Sequence, residues 1–430
     1  MANFLDGLDR YLLISADCHA GPSPKGYGPY LEKKWQDDFK GWLDWSVENS
    51  KIMKQVMGPR SIGVDGDPAL FGYRNWDSQR RLEETEADGV VAEVVYSNTS
   101  PPFAPTMHSE FGEAEVGEDL ARRWAGIQAH NRWLADYCAE APHRRAGVCQ
   151  IFLPFVEESL EEIRWARETG LTGGVLLPGA APGSGIEPLY SPLYEPIFAL
   201  CEELGMPLNH HAGGNTPDFG PYLPQSLAMF MLEVTWWAHR SLWHLMFSGV
   251  FERHPKLQFV LTEVGTSWVG ETLARLDGFY DRMKYNDLCA EHIFGGPTVA
   301  SMSLRPSEYF ERQVHLGASF LPAGECALRH EVGVEKIMWG SDYPHMEGSH
   351  PYTREHLRLS FAGVDPEEIQ MMVGLNAAKV YGFDVEKLVP VAEKIGPTKA
   401  EIAAPLDRSD VPKDAYKCPA FEDKEKPMLL

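Results

Sequence analysis

Positive charge is what this sequence has least of. Its 39 Lys and Arg stand against 62 Asp and Glu, a formal net charge of -23. A surface that acidic repels phosphate backbones and anionic headgroups, which argues against nucleic acid and membrane as partners. No apolar run reaches the length of a membrane span. The opening residues, MANFLDGLDRYLLISAD, lack the positive start and sustained apolar core of a secretory leader. Cysteine is sparse, with seven residues (Cys18, Cys138, Cys149, Cys201, Cys289, Cys326 and Cys418) and no CxxC pair. Reduced thiols in a cytoplasmic protein are therefore expected. No GxGxxG follows the first strand-like run, and neither a GxSxG elbow nor a Walker loop occurs, so dinucleotide, serine-hydrolase and P-loop chemistry lose their usual signatures.

What is present is a chain of 430 residues, 44 % hydrophobic, enough for one large α/β domain or two smaller ones. Short β-like runs alternate with helical patterns. The runs are YLLISA, VVAEVV, AGVCQIFL, GGVLL, MPLNHH, LQFVLTE, VHLGA and KIMWGSD. Between them, stretches such as ESLEEIRWARETG and GETLARLDGFYDRM return apolar residues every three or four positions. Eight strands with intervening helices predict an α/β fold, a (β/α)8 TIM barrel, over residues 1–383. A helical insertion is expected after strand 1, at about residues 33–80, and a C-terminal extension over 384–430 that wraps the surface or a neighbouring subunit. Residues 286–311 have little periodicity and read as a loop over the barrel mouth or an oligomer contact.

In such a barrel the chemistry sits where strands end, and here the runs end in charged or imidazole side chains. The first delivers Asp17 and His19, which lie two apart and so share a face. A carboxylate with an imidazole suits a divalent ion such as Zn2+, Mn2+ or Fe2+; turn capping by Asp17 is the alternative that the other strand ends argue against. In the His210-His211 pair adjacent side chains diverge, so one reaches the metal; His211 is favoured, with His210 in support. Glu263 follows FVLT, a run that should be buried, and a carboxylate there needs a metal, a proton or an ion-pair partner. Asp342 ends IMWGSD and is followed by a Pro-turned loop bearing His345 and Glu347. Asp342 can hold a metal and accept the proton of its water, while Cys18, between two ligands, should face away. Trp236, Trp237 and Trp243 read as packing or interface residues.

The segments ADCHAG, NHHAGG, FERHPKLQFVLTEVGTSWV, WGSDYPHMEG and NAAKVYGF, in this order, resemble the amidohydrolase superfamily, in particular its amidohydrolase-related branch, from Ile14 to Phe383. That branch holds metal-dependent hydrolases and non-oxidative decarboxylases. Its first-strand motif maps to Asp17 and His19, its fifth-strand His to His211 and its last-strand Asp to Asp342. The sixth-strand His of relatives is Glu263 here, and no Lys ends GGVLLPG to supply a carbamylated bridge. The resemblance implies Zn2+ or Mn2+ held by Asp17, His19, His211 and Asp342, acting on a small organic acid or amide. Asp342, Glu263 and His345 are then the catalytic candidates. In a second arrangement Glu263 bridges and His345 joins, giving a site for two ions, an Fe or Mn/Fe pair, as in dinuclear oxygenases of the superfamily. A catalytically silent barrel is the third reading. A homo-oligomer is expected, with a paralogous barrel subunit as the other possible partner.

Overall fold

In the computed structural model, residues 7–57, 72–98, 101–104 and 118–421 are described. Nine short strands run in parallel: β1 (Leu13–Ala20), β2 (Val90–Ser97), β3 (Arg145–Gly147), β4 (Cys149–Gln150), β5 (Val175–Leu176), β6 (Leu208–His211), β7 (Phe259–Thr262), β8 (Val314–Ser319) and β9 (Ile337–Gly340). They pair in chain order as β1-β2-β3 and β4-β5-β6-β7-β8-β9. β3 and β4 are one strand interrupted at Val148, whose N–H still donates to Val95 O at 2.9 Å. Eight strand positions therefore stand where eight were expected.

The ends of the array meet. Asp342 N donates to Asp17 O at 2.8 Å and His19 N to Tyr343 O at 2.7 Å, joining the end of β9 to β1. This closure gives the TIM-barrel-like architecture, with helices covering the outer faces. β1 is buried at all eight positions, as a strand covered on both sides must be. Tyr96 of β2 hydrogen-bonds Asn209 of β6 (3.2 Å) and Thr262 of β7 (2.9 Å). β2 neighbours neither β6 nor β7, so Tyr96 reaches them through the barrel interior. Tyr381 completes this polar plug from below, its hydroxyl donating to Asn209 Oδ1 at 2.9 Å.

Two segments differ from the sequence expectation. Residues 286–311 contain helices at Ala290–Val299 and Pro306–Gln313; Pro297 and the Gly295-Gly296 pair mask the first one's periodicity. Beyond residue 384, a helix at Val385–Ile395 buries Val385, Leu388 and Ala392 in a cluster with Leu12, Ile14 of β1 and Val91 of β2. The following chain returns beside the start of β1, where Tyr11 N donates to Pro397 O at 2.9 Å. This stretch thus seals the end of the barrel opposite the strand C-termini. Within the expected insertion, helices at Gln36–Met57 and Ser78–Ala87 are present, and residues 58–71 between them lie outside the described ones.

Candidate metal centre

The C-terminal ends of β1, β6, β7 and β9 bring Asp17, His19, His211, Glu263, Asp342 and His345 to one rim. The register of β1 against β2 shifts between Ser15 and Cys18, at Asp17. Asp17 and His19, two apart on the strand, face the same space. His19 Nε2 lies 3.2 Å from both Asp17 Oδ1 and Asp342 Oδ1, and His211 Nε2 lies 3.3 Å from Asp17 Oδ1. Cys18 points the other way, its thiol bonded to Ser15 Oγ at 3.1 Å and made hard to ionise by burial.

Each ring is oriented through its other nitrogen, as metal-ligating histidines usually are. His19 Nδ1 is 3.1 Å from Ser97 O, His211 Nδ1 is 3.0 Å from Ala212 O, and His345 Nε2 is 2.9 Å from Asn98 Oδ1. His345 also stacks on His19 with ring centroids 4.1 Å apart. His210 is different. Both its nitrogens are engaged, with Leu177 O (2.9 Å) and Asn215 Nδ2 (3.0 Å), and burial pulls its pKa down to about 4. It ties β6 to the chain beyond β5 as a neutral ring and presents nothing to the pocket.

Glu263 and Asp342 both adopt left-handed backbone, each with φ of 56°. For residues with a Cβ this is strained, and it turns the carboxylates over the rim instead of continuing the strand alternation. The approach at the closing seam is tight: a Cβ on Gly340 would sit 2.6 Å from Asp17 Cβ.

Four buried polar atoms in this pocket lack a hydrogen-bond partner among the described residues: His19 Nε2, Asp342 Oδ1 and Oδ2, and His345 Nδ1. Short distances separate them from one another, as in the 2.9 Å between His345 Nδ1 and Asp342 Oδ1, but none is aligned for a hydrogen bond. Leaving each buried and unpaired costs on the order of 1–3 kcal/mol, so a missing partner is indicated. The donor set, imidazole nitrogen and carboxylate oxygen, fits a divalent cation. The local field agrees. Burial and then the Asp342 and Asp17 charges push the Glu263 carboxyl well above its usual range. Burial opposes charge on His19 and on Asp17, yet their mutual contacts win: His19 is held well above, and Asp17 well below, the ordinary values. The part of these shifts that comes from neighbouring carboxylates, Asp17 and Asp342 raising both Glu263 and His19, marks a negative space that favours cations.

The supporting residues were not evident from the sequence. Ser319 Oγ donates to Asp17 Oδ2, Asn98 orients His345, and Arg81 holds the main chain of His19. Arg81 is fully buried; its Nη1 donates to His19 O at 2.7 Å, and its other nitrogens grip Glu93, which also pairs with Arg145. The guanidinium lies 4.7 Å from the ring centroid of Tyr343, whose carbonyl receives His19 N. In the run DSQRRLEETEAD, Arg81 reads as one charge on a solvated helix face, and only its counter-ion Glu93 inside VVAEVV hints otherwise.

A family model described as Amidohydrolase matches residues 16–383. Among characterised proteins, the chain is 28 % identical over 249 residues to the gamma-resorcylate decarboxylase of Rhodococcus jostii (strain RHA1), covering 54 % of this chain and 68 % of that one. It is 26 % identical over 275 residues to the gamma-resorcylate decarboxylase of Rhizobium sp. (strain MTP-10005), covering 61 % and 76 %. The fold is similar to that of the 5-carboxyvanillate decarboxylase of Sphingomonas paucimobilis, with TM-score 0.63 at 20 % identity over 87 % of this chain and 100 % of that one. It is also similar to the 5-carboxyvanillate decarboxylase of Novosphingobium aromaticivorans, solved with bound manganese, with TM-score 0.65 at 19 % identity over 87 % and 98 %.

Proposed function

The chain belongs to the amidohydrolase family, and we propose that within it the protein is a metal-dependent enzyme that removes the carboxylate of a small organic acid as carbon dioxide without oxidation. One observation carries the metal: the unbonded His19 Nε2 and Asp342 carboxylate oxygens, buried at the mouth of the barrel. Asp17, His19, His211 and Asp342 would hold the ion. The similarity to gamma-resorcylate decarboxylases supports decarboxylation ahead of amide or ester hydrolysis, and an aromatic acid as the substrate class. Mn2+ is the ion assigned first, because related decarboxylases are solved with it and because a carboxylate-rich set suits it as well as Zn2+.

In this reaction the bond between the ring carbon and the carboxylate breaks, the electron pair stays on the ring carbon, and a proton takes its place. When bound, the metal supplies positive charge that orients the substrate and stabilises charge developing on it. The chain's own groups supply the rest. The polar plug beneath, with Tyr96 packed against His211 at 4.9 Å between centroids, fixes the floor. Asp342, Glu263 and His345 border the space from which the incoming proton must be delivered.

The test is to load the purified protein with Mn2+ and offer a panel of hydroxylated benzoates beside amides and esters of similar size. Carbon dioxide release from at least one benzoate is expected, and is lost in Asp342→Asn. Turnover of an amide or ester with no carbon dioxide from any acid would overturn the assignment. Exposed Met231, Leu232, Trp236 and Phe294 support a homo-oligomer, which light scattering reads directly. The seven unpaired thiols fit a reducing, cytoplasmic setting; among the described residues no helix is long and apolar enough to cross a membrane.

A further inference from the structure

We propose that residues 405–421 are a positioning element of the metal centre, holding from outside the ends of β8 and β9 that carry Ser319 and Asp342. This rests on the metal-centre reading above. The family match ends at residue 383, so the element lies beyond it. Its path is set by the helix at Thr353–Ser360, which follows β9 and starts at the rim. Arg358, in the last turn of that helix, donates to the carbonyls of Ala404 (3.1 Å) and Pro405 (2.7 Å). Tyr352, just before its first turn, donates to Asp414 at 2.7 Å. The stretch therefore climbs antiparallel to the helix, from the sealed end of the barrel to the rim. There Ala415, Cys418 and Phe421 belong to a small apolar cluster on which Phe320 and Tyr352 pack. Arg408 Nη1 donates to Phe421 O at 3.0 Å and ties the cluster back on itself.

From this cluster, contacts run to the centre along two routes. Phe320 follows Ser319, whose hydroxyl bonds Asp17, and its own N–H donates to Gly340 O at 3.1 Å. With φ of 64° it is left-handed, as Glu263 and Asp342 are, so β7, β8 and β9 all leave the strand pattern in the same way. Such backbone persists only where the surroundings over-determine it, and the C-terminal cluster supplies packing at Phe320. On the second route, Phe421, with no exposed surface, lies ring to ring with His356 at 6.2 Å. His356 Nε2 accepts from Trp339 Nε1 at 2.9 Å, and Trp339 stands on β9 three residues before Asp342. Asp342 needs such backing. Its carboxylate has no hydrogen-bond partner among the described residues, so its place is fixed by the main chain and by what packs behind it. The electrostatics agree on the proximity: burial, and then the Asp342 and Glu347 charges, push the Cys418 thiol up to about 12.

Two full-length variants unseat the stretch without touching the barrel. Phe421→Ala removes its buried ring, and Ala415→Glu places a charge where no surface is exposed. Hydrogen exchange read by mass spectrometry is expected to show residues 411–421 opened and the strands still protected. Mn2+ affinity, measured by titration calorimetry, should then fall by about tenfold or more, the range for support lost behind a ligand. Ile402→Ala, a buried site at the far end of the climb, controls for general loosening; it should lower Tm and leave affinity within about threefold. Unchanged affinity once the stretch is unseated would overturn the positioning role and leave the centre standing. So would an equal loss in Ile402→Ala, or strands left unprotected in both variants, since the stretch would then be ordinary core. No Mn2+ bound by the wild type would overturn the metal centre itself, and this proposal with it.

Discussion

Replacing Asp342 by Asn is the most informative single perturbation of the centre. The change keeps the shape of a side chain with no exposed surface and removes one negative charge whose oxygens have no hydrogen-bond partner among the described residues. Its Oδ1 stands 3.2 Å from His19 Nε2. At that separation and an effective dielectric of about 20, two unit charges interact by about 5 kcal/mol. The amide retains a dipole and one oxygen, so part of this survives; a net loss of roughly 2–4 kcal/mol corresponds to about 30- to 1000-fold weaker cation binding. Titration calorimetry with Mn2+ measures that directly. In chelator the same change has two opposed effects, since Asp342 crowds Glu263 but stabilises the protonated form of His19, so the metal affinity is the quantity that decides. Mn2+ affinity within threefold of wild type would refute the reasoning.

Arg81→Lys should weaken Mn2+ binding by about 10- to 100-fold, the usual cost of losing support behind a ligand. Arg145→Lys disturbs the same buried cluster without touching His19 and should leave affinity within threefold; equal losses in the two would sink the positioning role. The pH dependence in chelator has a definite sign. Glu263 is raised in the folded protein, so between its unfolded value of about 4.3 and its folded one the native state holds the extra proton, and stability falls as pH rises. His19, also raised, adds a loss in the same direction as pH climbs through its folded value. Asp17, depressed, contributes stability above its unfolded value that is lost in acid. Tm followed from pH 4.5 to 8 should therefore decline, and Glu263→Gln should flatten the decline; an unchanged slope would remove Glu263 as its source.

The ends of the strands were legible because burial and charge conflict there: FVLT running into Glu263 and IMWG into Asp342 are costly unless something pays for the charge. Alternation was enough to put Asp17 and His19 together and Cys18 apart. It served less well for Glu263 and Asp342, because left-handed backbone takes them out of the strand pattern. Neutral partners were harder still. Ser319 and Asn98 are ordinary polar residues in sequence, and their importance lies in contacts with Asp17 and His345, more than two hundred positions away. The helix at Val385–Ile395 was hidden by Pro390 in its middle, although Leu388 and Ala392 are as buried as any strand residue.

The seam between β1 and the end of β9 has a consequence for how the chain folds. Ser15 and Ser341, hydrogen-bonded there at 3.0 Å, are 326 positions apart, and Asp17, His19 and Asp342 sit on the two sides of that join. Contacts this distant in sequence carry a large loop-closure cost and form slowly. A nascent or truncated chain without its last strand keeps Asp17, His19, His211 and Glu263 but lacks Asp342, His345 and the seam. Cation capture therefore reports that the barrel has closed, and a chelator added during refolding should separate closure from locking in time.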